Sequence, residues 1–125
     1  MKFTPKPVLA AIALILSLAA PAVADPYEDA SAAYIKGDYA TALRLWRPLA
    51  DQGVNGAQYG LGLMYDKGRG VSQDFVYAHM WFDLSAAQGN KSALTSRDTA
   101  ARRMSAAQVA EAQKLAREWH EERKQ

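Results

Sequence analysis

The chain has 125 residues, 50% of them hydrophobic and 22% charged, with no cysteine and two histidines. That is enough apolar material for one core and too little length for two. Two of its fifteen basic residues, Lys2 and Lys6, precede a long apolar run, so residues 25–125 balance thirteen Lys and Arg against thirteen Asp and Glu. A neutral domain has no broad positive field to hold phosphates, which argues against general nucleic-acid binding. Without cysteine there is no disulfide, no thiol nucleophile, no Cys zinc site and no lipidated N-terminal Cys.

The first predicted segment is an address. Val8–Ala20 is apolar except for Ser17, Pro21 breaks the run, and Ala22-Val23-Ala24 ends it with small residues at alternate positions. A charged start, a short apolar middle and an A-x-A end predict a secretory signal peptide over residues 1–24, cleaved after Ala24. The run falls short of the roughly 18 residues that span a bilayer, so no stable membrane insertion is expected after cleavage. The expected location is the periplasm or the exterior. An exported domain without cysteine suits a bacterial periplasm.

From Asp25 onward every predicted element is a helix, because there is little period-two alternation of β-branched residues. Asp25-Pro26 reads as N-cap and first helical position of a helix to about Lys36. Gly37 ends it, and Asp38 caps a second helix, Tyr39 to Gln52, which Gly53 stops. Pro48 removes the backbone bond to the Arg44 carbonyl and predicts a bend there. Asn55 and Gln58 resemble a capping box for a third helix to Lys67. In that helix Gly56, Gly60 and Gly62 each cost up to about 1 kcal/mol against alanine, a cost that close approach of a neighbouring helix could offset. Arg69–Ser72 is loop. A fourth helix runs from Asp74 to Gln88 and stops at Gly89; it is apolar nearly all round and is expected in the middle. A fifth, weaker helix covers about Lys91–Arg103. The sixth opens on a Ser105–Gln108 capping box with Met104 and Val109 placed as a hydrophobic staple. Its stripe of Val109, Ala112, Leu115, Ala116 and Trp119 is expected to cover the fifth helix and part of the fourth.

The chain also repeats at a shift of 36. Asp38 falls on Asp74, Ala42 on Ala78, Trp46 on Phe82, Ala50 on Ala86, Gln52 on Gln88, Gly53 on Gly89 and Ala57 on Ala93. These are the positions where a helix starts, packs and stops. The expected fold is all-α: a short right-handed α-solenoid of about three antiparallel helix pairs, in units of about 26–53, 54–89 and 90–122, with the C-terminal helix as a cap.

The central unit resembles the Sel-one-like repeat family, a relative of the tetratricopeptide repeat. The resemblance rests on Ala57, Leu61-Gly62, Tyr65, Gly68-Arg69-Gly70-Val71, Asp74, Ala78, Trp81-Phe82, Ala86 and Gly89. It extends over roughly residues 27–119. The last unit departs from the pattern, lacking the Gly-x-Gly loop and carrying Arg97-Asp98 in place of Leu61-Gly62. The resemblance implies a non-enzymatic scaffold that holds a protein partner on a concave surface, in the envelope of a bacterium.

The residues themselves offer little catalysis. Gly68-x-Gly70 has no preceding strand and no Lys-Ser/Thr, so it reads as a turn and not a phosphate cradle. His79 and His120 are far apart and suit no zinc spacing. His79 is expected half-buried on a helix face, and His120 near a helix C-terminus. No serine has a nucleophile-elbow context. Trp46, Trp81 and Trp119, with Tyr39, Tyr65 and Phe82, could be a sugar-stacking set, but at helical spacing they read as core. Asn90-Lys91-Ser92 matches a glycosylation sequon by composition alone. No cofactor or metal is expected, and the chain is expected to be a monomer. The candidate partner-binding face lies on the first helix of each pair: Tyr59, Leu63 and Asp66 share one side of the third helix, with Tyr34 and Arg97 extending it. The partner is read as an envelope protein or peptide. The rival reading is an envelope protein that binds or hydrolyses cell-wall sugars or peptides.

Overall fold

A computed structural model describes residues 2–4 and 24–125. The signal-peptide reading falls on the stretch 5–23, outside the described residues. Among the described residues there are six α-helices and no strand: α1 Pro26–Ile35, α2 Tyr39–Asp51, α3 Asn55–Lys67, α4 Phe75–Ala87, α5 Lys91–Ala101 and α6 Ala106–Glu122. They pack as a short helical solenoid, with α2 to α5 each on its predecessor. None is long and apolar enough to cross a membrane.

Polar residues at the helix starts explain most of these boundaries. Asp25, Asp38, Asp74 and Asn90 each accept a backbone N–H of the first turn, at 3.0, 3.2, 3.1 and 2.9 Å. Ser105 and Gln108 close the expected reciprocal box, at 3.1 and 2.8 Å. At the other ends, Gly68 takes the left-handed conformation that closes α3, and Gly70 lets the backbone turn against Tyr39 and Met64. The Gly68–Gly70 stretch is therefore a packed turn, as its sequence suggested. Helix α2 continues through Pro48, and α5 ends two residues before the expected Arg103.

One expected cap is corrected. Helix α3 starts from Val54 with no side-chain cap. Asn55 instead accepts the Ser85 hydroxyl at 2.6 Å and the Asn90 amide at 2.9 Å. Gln58, fully buried, donates to the Ala50 carbonyl at 3.2 Å and accepts from Gln88 at 2.8 Å. Buried polar groups at the junction between units need partners, and that demand draws both side chains away from their own helix start. Replacing Gln58 by Met keeps the shape and removes both bonds, and should cost about 1–3 kcal/mol in urea denaturation. The same network occupies the amide of the sequon residue Asn90.

The three helical glycines of α3 are contact points. A side chain on Gly56 would meet the Tyr27 ring, one on Gly60 would lie 2.7 Å from Trp46, and one on Gly62 would overlap Phe82. Helices α1, α2 and α4 thus each press a ring onto α3. Ala57 and Ala78 are fully buried, Trp81 is buried, Ala86 is half-buried and Tyr65 stacks on Tyr77 at 5.4 Å. The reading of the tryptophans as core holds for Trp46 and Trp81, while Trp119 is half-buried.

Helix α4 is the middle of the molecule, packed by α3, α5 and α6. This corrects the half-buried His79: its side chain is only 3% exposed. Helix α6 also differs from expectation. It lies chiefly on α4, as part of the expectation had it, and it reaches back to the first pair. Ala116 joins the cluster of Trp81 and Leu84, and Leu115 and Trp119 pack against it. Trp119 reaches Gly53, Arg123 covers the indole at 3.6 Å, and the Arg123 Nε donates to the Asp51 carbonyl at 2.7 Å.

Candidate functional site

Helix α3 is enclosed by α1, α2 and α4, and its buried residues run nearly all round. Among those left half-buried are Tyr59, Leu63 and Asp66, one turn apart in succession. The three residues read from the sequence as a shared face therefore form one partly open strip. The Tyr59 ring rests against Phe82 with centroids 5.8 Å apart, so its position is fixed from behind.

Beside Tyr59 the first helix of the third pair forms the other wall. Tyr59, Lys91, Ser92, Thr95 and Ser96 line a shallow, open groove of about 390 Å³. On α5, Lys91 and Thr95 are one turn apart, as are Ser92 and Ser96, so the four make a single edge. The Thr95 hydroxyl donates to the Lys91 carbonyl at 3.2 Å, leaving its oxygen able to accept. The groove offers an aromatic wall, three hydroxyls and one ammonium. Those α5 residues were missed in the sequence; their i, i+4 pairing on the polar side of a weak helix was the available signal.

The flanking candidates are placed differently. Tyr34 packs in tilted contact with Tyr39 and Trp46, at 5.3 and 5.4 Å, and its hydroxyl accepts from Arg69 at 2.9 Å. The Arg69 guanidinium lies over both tyrosine rings, 5.7 and 5.6 Å from their centroids. Arg97 donates to Asp83 at 2.8 Å and to Asp98 at 3.2 Å, and those carboxylates hold it protonated. Of the sequence candidates only Tyr59 lines the groove; Leu63 and Asp66 continue the strip beyond it, and Tyr34 and Arg97 are tied into local contacts that join neighbouring helices. Asp66 makes no ion pair among the described residues, and its backbone carbonyl accepts from Gln73 at 2.8 Å.

Nothing in this arrangement assembles a nucleophile, a base and an oxyanion donor. Among the described residues there is also no group of three His, Asp or Glu positioned to hold a metal ion.

The fold is that of an α-solenoid built from short helix-turn-helix units, with an open groove between the first helices of the second and third. The chain belongs to the Sel1 repeat family, whose model matches residues 27–54 and 56–90, the α1–α2 and α3–α4 pairs. Sel1 repeats are typically protein–protein interaction modules and generally not catalysts. No curated protein matches the chain.

Proposed function

We propose that this protein is an exported, non-enzymatic scaffold that binds an envelope protein or extended peptide in the groove between α3 and α5. The observation that carries the reading is the groove itself, whose Tyr59 wall is fixed by Phe82 and whose hydroxyl edge is shallow and open. A shallow groove suits a surface partner, whereas a small-molecule substrate calls for a deeper pocket with convergent polar groups. The charged start, apolar middle and Ala22-Val23-Ala24 end support export, with a mature chain that begins at Asp25. With barely three pairs the interface is small, and an affinity of roughly micromolar is expected.

The test is crosslinking and capture from the envelope fraction, with the mass of the captured bait measured. Tyr59→Ala, Leu63→Ala and Asp66→Ala together should weaken capture about tenfold or more while circular dichroism stays helical. Among the three, only Leu63→Ala should cost appreciable stability. Glu121→Ala, on the exposed side of α6, should change little. A folded triple variant that keeps every partner would overturn the groove assignment. A bait that retains residues 1–24 would overturn export with cleavage, and hydrolysis of cell-wall material by the purified protein would overturn the non-enzymatic reading.

A further inference from the structure

Helix α5 carries one wall of the groove, yet few large apolar side chains anchor it. It buries only Ala93 and Ala100, and its one leucine, Leu94, is exposed. Its support is α4, and the polar clasp between them is Arg97, bonded to Asp83 of α4 at 2.8 Å and to Asp98 of α5 at 3.2 Å. One turn before Asp83, on the same side of α4, sits His79. Its ring is buried and its Nδ1 has no hydrogen-bond partner.

A neutral imidazole tolerates that position. An imidazolium does not, because both ring nitrogens then donate and one would face no acceptor. Burial also penalises an added charge there. The charges that act on the ring are Asp83 on its own helix and Arg97 and Asp98 on α5. Asp83 and Asp98 attract a cation and Arg97 repels it, so burial and the unpartnered Nδ1 are what oppose the proton. Toward α4, helix α3 presents Asn55, Gly62 and the phenol rings of Tyr59 and Tyr65, and α6 presents Ala112, Leu115, Ala116 and Trp119, none of them a carboxylate or a cation.

Resting on the reading of the groove as the binding face, we propose that α5 is an acid-released arm: a proton on His79 detaches α5 from α4 and dismantles the groove. Burial is the main influence on the ring and holds its pKa below the ordinary 6.5, against the attraction of Asp83. With α5 released the ring meets water and takes a proton more readily than in the docked state. Falling pH through 6.5 therefore favours release, while above it the ring is neutral in both states and α5 stays docked.

The experiment is amide hydrogen exchange on the whole protein at about pH 7.5 and about pH 5.5, corrected for intrinsic exchange rates. Protection of α5 should fall several-fold, by at most about tenfold, at the lower pH while α3 and α4 hold theirs. In His79→Gln, α5 protection should be the same at both. In the wild type, the His79 ring protons followed by NMR should titrate at the midpoint of α5 release, a readout that decides the matter even if the variant does not fold. Equal α5 protection at both pH values would overturn the proposal. So would a loss shared by all six helices, a loss that persists in folded His79→Gln, or a midpoint that follows the exposed His120. Capture of a partner at about pH 7.5 tests the groove separately: α5 released by acid, with capture indifferent to the groove variants, keeps the arm and removes the binding face.

Discussion

A chain that ends at Met104 should lose its cooperative unfolding transition and bind a hydrophobic dye. Helix α6 contributes the buried methyls of Ala112 and Ala116, about 0.8 kcal/mol each, and the apolar parts of Leu115 and Trp119. Its removal also bares the sides of Trp81 and Leu84 on α4, and it releases the Arg123 bond to the Asp51 carbonyl. Together these approach the lower end of the roughly 5–15 kcal/mol that holds a domain of this size. Because α6 reaches α2 as well as α4, its loss loosens the first pair and the central one at once. Thermal denaturation, dye binding and sedimentation of the truncated chain check this. A truncated chain as stable and monomeric as the full one would show that α6 is an appendage.

Gly62→Ala should destabilise the protein by about 1–3 kcal/mol, although alanine is the better helix former by up to about 1 kcal/mol. The new methyl would fall on Cδ1 and Cε1 of Phe82, and that ring is fully buried and has no space to retreat into. The helices α3 and α4 would have to separate, and Tyr59, which leans on Phe82, would move with them. The same substitution should therefore weaken partner capture without touching the groove surface. Pairing Gly62→Ala with Phe82→Leu separates the causes. If the clash is the reason, the double variant should lose clearly less than the two single losses combined when measured by denaturant titration. Strict additivity would place the cost elsewhere.

Local signals were enough to determine most of the secondary structure from the sequence. Asp25, Asp38, Asp74, Asn90 and Ser105 start helices because each offers an oxygen to first-turn N–H groups, and Gly37, Gly53, Gly68 and Gly89 follow helices because each takes a positive φ. The shift of 36 and the all-round apolar α4 likewise implied stacked pairs with α4 in the middle, since such a helix must be covered on several sides. The strip Tyr59–Leu63–Asp66 was legible for the same reason: helical spacing alone places residues on a common side. Tertiary structure decided what spacing cannot express. It diverted Asn55 and Gln58 from a cap to the junctions between units, because buried polar atoms must find partners wherever the fold supplies them. It laid α6 on α4, and it buried His79 on the middle helix. It also placed Lys91, Ser92, Thr95 and Ser96 opposite Tyr59, a groove that exists only once two helices from different units are set side by side. An amphipathic stripe states that a helix must be covered, but which neighbour covers it depends on the shapes of all the others.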